Sequence, residues 1–216
     1  LDHRIMAFLF LKICARLGQL SLAVLCITQL AVAQPVDTKI ELTEQDVKVD
    51  FTLLLTEETK SINVSRGLRV NNECDADTSI SDLIAQLNGA TFKAVKGNAL
   101  NEGFGENPVY AYVMVENRSP TSQWFLHLNY ALIDRIEVYV VNGLGSDKKP
   151  LSYLGQNGDT LPFSHRQVKV PGFVFPVNLA PGEKALLLVK VQTQGARYAE
   201  VTLHTAIGLA AKESRN

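Results

Sequence analysis

An antiparallel all-β sandwich of jelly-roll type is the fold this sequence predicts, on three observations. Apolar and polar residues alternate with period two through about eight separate runs. Turn-forming residues punctuate those runs roughly every 8–12 residues. Only one short stretch carries a helical apolar stripe. With 46% of its 216 residues apolar, the chain has material for a sizeable core without metals or disulfides.

Taken in order, residues 1–33 read as a secretory signal peptide and not as part of the fold. Lys12 and Arg16 supply a positive start, and Leu17–Leu30 an apolar stretch interrupted by Gly18, Gln19, Ser21, Thr28 and Gln29. Ala31-Val-Ala33 then offers the small-x-small pattern for cleavage before Gln34. Met6 reads as the natural start. The alternative is an uncleaved anchor, which the polar interruptions leave short for a span. Two of the three cysteines, Cys14 and Cys26, lie in this segment. The exported part therefore keeps Cys74 alone and no internal disulfide. The formal charge of the whole chain is −1; without the leader it is about −3. That balance argues against nucleic acid and against polybasic lipid binding. The expected location is the periplasm after cleavage, with an inner-membrane tether if the leader is retained or the chain is a receptor fragment.

Residues 34–67 form a lead-in with one clear strand, in which Val47, Val49, Phe51, Leu53 and Leu55 share a face opposite Lys48, Asp50 and Thr52. Whether this strand joins the sandwich or pairs with a neighbouring molecule is open at this level. The helix follows: Ser79 is placed to cap it, Asp82 stands at the third position, and Ile80, Leu83, Ile84 and Leu87 make its stripe until Asn88-Gly89 stops it. Pro108 opens the run Val109–Glu116, apolar on both faces and so expected in the middle of a sheet. Trp124, Leu126, Leu128 and Tyr130 alternate with Phe125, His127 and Asn129. Ile136, Val138 and Val140 alternate with Arg135, Glu137 and Tyr139. Phe173–Leu179, Leu187–Val191 and Val201–Thr205 repeat the pattern. Turn signals separate these runs at Asn117–Pro120, Asn142-Gly143, Gly145–Asp147, Asn157–Asp159 and Ala180–Gly182.

The order of these motifs resembles a known family. The helix Ser79–Leu87 is followed by Tyr110-Ala-Tyr-Val-Met-Val-Glu-Asn117, Trp124-Phe-Leu-His-Leu-Asn-Tyr130 and Leu132-Ile-Asp-Arg-Ile-Glu-Val-Tyr139. Then come Gly155, Leu161-Pro-Phe-Ser-His-Arg166, Phe175-Pro-Val-Asn-Leu-Ala-Pro-Gly182 and Leu186-Leu-Leu-Val-Lys-Val191. From about Leu68 to Thr205 this is similar to the second type of periplasmic sensor domain in bacterial seven-transmembrane receptors with diverse intracellular signalling modules. The resemblance implies a jelly-roll sandwich akin to carbohydrate-binding modules over residues 68–205, placed ahead of seven helices and a cytoplasmic output domain. Tyr110 stands where that family commonly has tryptophan. Residues 206–216 are a short tail with no helix bundle after it, so the expectation is a truncated receptor or a free-standing relative.

The candidate site residues follow from position and chemistry. Leu161–Arg166 gathers an aromatic (Phe163), a hydroxyl, an imidazole (His165) and a guanidinium (Arg166) near a loop end, where ligands tend to bind. Arg166 can clasp a carboxylate or sugar hydroxyls with two donors. Its competing role is an internal pair with Asp134, which strand parity points inward. Tyr139 and Phe125 lie opposite the core face and Tyr153 in a polar stretch, so they are better placed for a ligand than Trp124 and Tyr130, which parity assigns to the core. Glu73, Asp75 and Asp77 lack the glycine and terminal glutamate of a calcium loop, and His127, His165 and His204 lack zinc spacing. Nucleophile-elbow, zinc-protease, phosphate-loop and dinucleotide motifs are absent.

The sequence therefore predicts a non-catalytic sensor domain without cofactor or metal. It would bind a carbohydrate-like or carboxylate-bearing small molecule through Phe163, His165, Arg166, Asp134, Arg135, Tyr139 and Tyr153. The alternative is an interaction module whose face of Arg135, Glu137 and Tyr139 docks a receptor partner or a second copy.

Overall fold

The computed structural model describes residues 40–215. The predicted signal segment and the beginning of the lead-in fall outside the described residues. Thirteen strands and two helices follow in order: β1 (Glu41–Leu42), β2 (Thr52–Leu55), β3 (Ser61–Asn63), β4 (Arg69–Asn71), α1 (Ile80–Ile84), β5 (Lys93–Ala94), β6 (Leu100–Phe104), β7 (Val109–Asn117), β8 (Gln123–Asn129), β9 (Arg135–Asn142), β10 (Lys149–Asn157), β11 (Phe173–Asn178), β12 (Lys184–Gln192), β13 (Ala196–His204) and α2 (Ala206–Glu213). Among the described residues no helix is long and apolar enough to cross a membrane.

The strands build two sheets. The larger runs β1-β10-β9-β12-β7-β4-β5, and the smaller β11-β8-β13-β3, with β6 on the first half of β13. Alternation decides which side chains meet between them. Val113 and Val115 of β7, Val138 of β9 and Leu187 of β12 face Trp124 and Leu126 of β8 and Phe175 of β11, all buried in one cluster. This apolar burial is the dominant stabilising term.

The lead-in joins the sandwich on both sides. β2 lies along β7 at Met114–Asn117 and β3 along β13 at Thr202–His204. The β2–β7 pair is parallel, the one exception to antiparallel pairing among the described strands. β4 takes the other half of the same β7 edge, at Tyr110–Tyr112. The expected strand from Val47 is shorter than its alternation suggests. Leu53 and Leu55 enter the core between the sheets, Phe51 is exposed, and Val47 packs on the opposite, outer face of the large sheet. A shared parity does not guarantee a shared face once the backbone bends between the two halves.

That outer face is the reason β7 is apolar on both sides. Tyr112 and Met114 of β7 and Leu186 and Leu188 of β12 are covered by Leu42, Val47, Leu83, Leu87 and Phe92. Ser79 caps α1 as its sequence predicts, accepting from the Asp82 N–H at 3.1 Å. The helix proper ends at Ile84, and three-residue turns carry the chain on to Gly89, whose N–H donates to the Gln86 carbonyl at 2.9 Å. Within the stretch read as a tail, Ala206–Glu213 form α2: Thr205 accepts from the Gly208 N–H at 3.2 Å and starts a second helix.

Candidate functional site

Beyond the cover supplied by α1 and the lead-in, the outer face of the large sheet turns polar. Strand register places Tyr110, Lys190, Glu137 and Gln156 in one row across β7, β12, β9 and β10. The next row holds Tyr112, Leu188, Tyr139 and Tyr153. Side chains in such rows touch across strands.

Glu137 is the hub. It is only 8% exposed, and a carboxylate so buried needs donors. Arg135 supplies one at 2.7 Å and the Tyr139 hydroxyl donates the other at 2.8 Å. The Tyr139 ring lies tilted against Tyr153, centroids 5.2 Å apart, and Tyr153 presents 49% of its surface to solvent. Lys190 Nζ stands 5.5 Å from the Tyr110 ring centroid. Burial first, and then the Glu137 carboxylate, pushes the Tyr139 phenol far above its ordinary range; burial likewise raises Tyr153. Both stay protonated at physiological pH, as uncharged rings with a hydroxyl at the edge.

Next to this shelf opens a groove of about 740 Å³ lined by Gly105, Glu106, Asp134, Arg135, Gln192, Thr193 and Gln194. Arg135 and Gln192 are cross-strand partners at its border with the shelf. Asp134 takes the Gln194 N–H at 2.8 Å, and its carbonyl takes the Thr160 hydroxyl at 2.7 Å. Arg197 holds the loop that carries Gly105 and Glu106 of the groove. Its buried guanidinium donates to the carbonyls of Glu102 (2.6 Å), Phe104 (3.0 Å) and Asn107 (3.2 Å). A Cβ on Gly105 would stand 2.6 Å from that guanidinium, so any larger residue there must push Arg197 off its carbonyl partners.

The seven predicted residues divide into two groups. Asp134, Arg135, Tyr139 and Tyr153 come together in the groove and shelf. Phe163, His165 and Arg166 lie on a short 3-10 turn after β10 and line none of it. Arg166 does not pair with Asp134. It is held between the Phe163 and Phe173 rings, 4.9 and 4.7 Å from their centroids, and donates to the carbonyls of Val170 and Gly172 at 3.0 Å each. Asp134 is half-buried at the rim, so the expected internal ion pair is replaced by two separate backbone clasps. Phe163 and His165 are exposed. Arg166→Ala is therefore expected to lower stability by about 1.5–3 kcal/mol, the range for hydrogen bonds to a charged group, and to leave affinity at the groove unchanged. Thermal melting and titration on the same protein check both halves.

Glu106, Gln192, Gln194, Lys190 and Arg197 were missed as site residues by sequence reasoning. Lys190 did carry a signal, as the one charge inside an otherwise apolar strand. Glu106 and Arg197 carried none, because their importance comes from a loop folded back onto β13.

The family model described as 7TMR-DISM extracellular 2 matches residues 67–205. No curated protein matches the chain.

Proposed function

The chain belongs to the 7TMR-DISM extracellular 2 family, and on that premise we propose that it is a non-catalytic, periplasmic sensor domain that binds a small carbohydrate-like molecule on the Tyr139–Tyr153 shelf and in the adjoining groove. The observation that carries the reading is the shelf itself. A half-exposed ring backed by a second ring offers a flat face to sugar C–H groups. Glu137, Arg135, Gln192 and Gln194 surround it with acceptors and donors of the kind that hydroxyls use. Of the two ligand chemistries, the polyol fits better than a free carboxylate. Arg135 is already committed to Glu137, and an anionic ligand would meet Glu106, Asp134 and Glu137 with only Arg135 and Lys190 in compensation. Binding would act by differential affinity for two states of the domain.

The test is titration of the purified domain against neutral sugars, uronic acids and amino acids. Neutral sugars are expected to bind. Tyr153→Ala should weaken that binding about tenfold, the worth of a stacked aromatic, with little change in melting temperature because the ring is half in solvent. Undiminished sugar affinity in Tyr153→Ala would sink the shelf as the site.

A second reading has its own support. Phe104 and Leu132, both strongly exposed, stand next in sequence or nearly so to Gly105 and Asp134 of the groove, and such apolar rims also suit a protein partner or a second copy. Silence across all three ligand panels, together with a concentration-dependent dimer in sedimentation, would favour that reading.

A further inference from the structure

On the far side of the molecule from the shelf, α2 lies against β8 and β13 on the outer face of the small sheet. Two histidines face each other there. His127 is 1% exposed and His204 2%, with ring centroids 5.6 Å apart. Nδ1 of His204 meets the Ser61 hydroxyl of β3 at 2.7 Å. Its Nε2 and both nitrogens of His127 have no hydrogen-bond partner among the described residues. Gly172 closes over His127 from the β11 side, so tightly that a Cβ there would stand 2.7 Å from Nε2.

A buried imidazole without partners is costly, and a buried imidazolium is costlier still. Lys212 of α2 repels a proton on either ring, His127 repels one on His204, and Glu200 of β13 attracts one. Lys212 and Arg215 also line the small cavity that reaches His204, together with Glu200. Glu213 of α2 keeps a buried oxygen without a partner. From the β11 side only the Pro171 backbone acts on His127, outside hydrogen-bond geometry. The charges around the pair are balanced, two cations against two carboxylates, so burial is what most disfavours a proton there.

The cover over the pair is seated mainly at its first turn, where Gly208 packs closely on Lys60 and Ser61. Of the apolar side chains in α2, Leu209 is buried while Ile207 is exposed. The helix start is tied by the Thr205 N–H and hydroxyl to the Lys60 carbonyl, at 2.9 and 3.3 Å.

We propose that the His127–His204 pair is a second, proton-sensing input of this domain: a proton taken up by either ring releases α2 from the small sheet while the sandwich stays folded. The sign follows from burial, which holds both rings below the ordinary histidine range, His204 at about 4. Above the ordinary value of about 6.5 both docked and released states are neutral at these rings and α2 stays down. As pH falls from there towards 4, the released state takes up protons that the docked state refuses. At pH 5, His204 alone shifts the equilibrium towards release about 30-fold. The groove plays no part in this device.

Hydrogen exchange of the whole chain at pH 7.5 and 5.0, corrected for the intrinsic pH dependence of exchange, tests it. Amides of α2 are expected to lose about 30-fold or more of their protection at pH 5.0 while β7 and β12 keep theirs. In the variant H127N/H204N that pH dependence should vanish. Should the variant not fold, NMR titration of the imidazoles in the unaltered chain decides, because their protonation must coincide with the loss of α2 protection. Equal α2 protection at both pH values would overturn the proposal. So would opening of β7 and β12 together with α2, pH dependence persisting in the variant, or imidazoles titrating near 6.5 with α2 still docked.

Discussion

Trp124→Ala is expected to destabilise the domain by about 3–5 kcal/mol, as large-to-small changes at a buried aromatic do. The indole is 0% exposed. It sits on β8 opposite Val177 of β11, in the cluster shared by both sheets, and its Nε1 donates to the Thr121 carbonyl at 3.1 Å. Truncation leaves a cavity between the layers and removes one of the donors to the Thr121 carbonyl, which keeps its bond from the Asn117 amide. Against a typical stability of about 5–15 kcal/mol, such a loss lowers the melting temperature by roughly 10 °C or more. Urea and thermal denaturation measure it directly. Trp124→Phe, which keeps most of the volume, should lose much less. The prediction also separates two roles for the lone tryptophan: a sugar platform would lose binding without losing stability, and a core residue the reverse. An alanine variant that melts normally would mean that Trp124 is not core.

Gly158→Ala is the second large effect. Gly158 follows β10 and lies against the start of β9, where a Cβ would come 2.7 Å from the Asp134 carbonyl carbon and 3.0 Å from the Arg135 Cα. Both neighbours are backbone and cannot rotate away. Either the end of β10 lifts from β9, or Asp134 and Arg135 move; overpacking of this kind costs about 1–3 kcal/mol and more where nothing yields. The same two residues line the groove, so ligand affinity should fall together with the melting temperature. Coupled loss in one titration and one melting curve is the expected result. Wild-type melting together with wild-type binding would mean that this turn does not position the groove.

Much of this architecture was legible in the sequence because the deciding physics is local. Period-two alternation placed Trp124, Leu126, Leu128, Ile136, Val138 and Phe175 on the core side, and the two-sided run Val109–Glu116 marked the strand that lies buried between other strands. Ser79 with Asp82 gave the start of α1. Asn117 in the predicted turn turned out to anchor it, its side-chain amide donating to the carbonyls of Thr121 and Leu179 at 2.8 Å each. In the candidate site, the outward parity of Arg135, Glu137 and Tyr139 was legible on β9, although not the depth at which Glu137 is buried. Thr205 with the eight residues after it carried an ordinary capped-helix signal, and it was missed because the family resemblance ends at Thr205.

What the sequence by itself determined was the class of fold, the side of each strand that turns inward and the turns between strands, since each depends on residues within a few positions of one another. Tertiary structure alone decided which charged group meets which. Arg166 found the carbonyls of its own loop and not Asp134, Arg197 closed on a loop some ninety residues earlier, and Lys190, Glu137 and Tyr110 became neighbours only through register. Periodicity states that a side chain faces in or out. What stands opposite is set by strand order, and strand order is fixed by the cooperative packing of the two sheets as a whole.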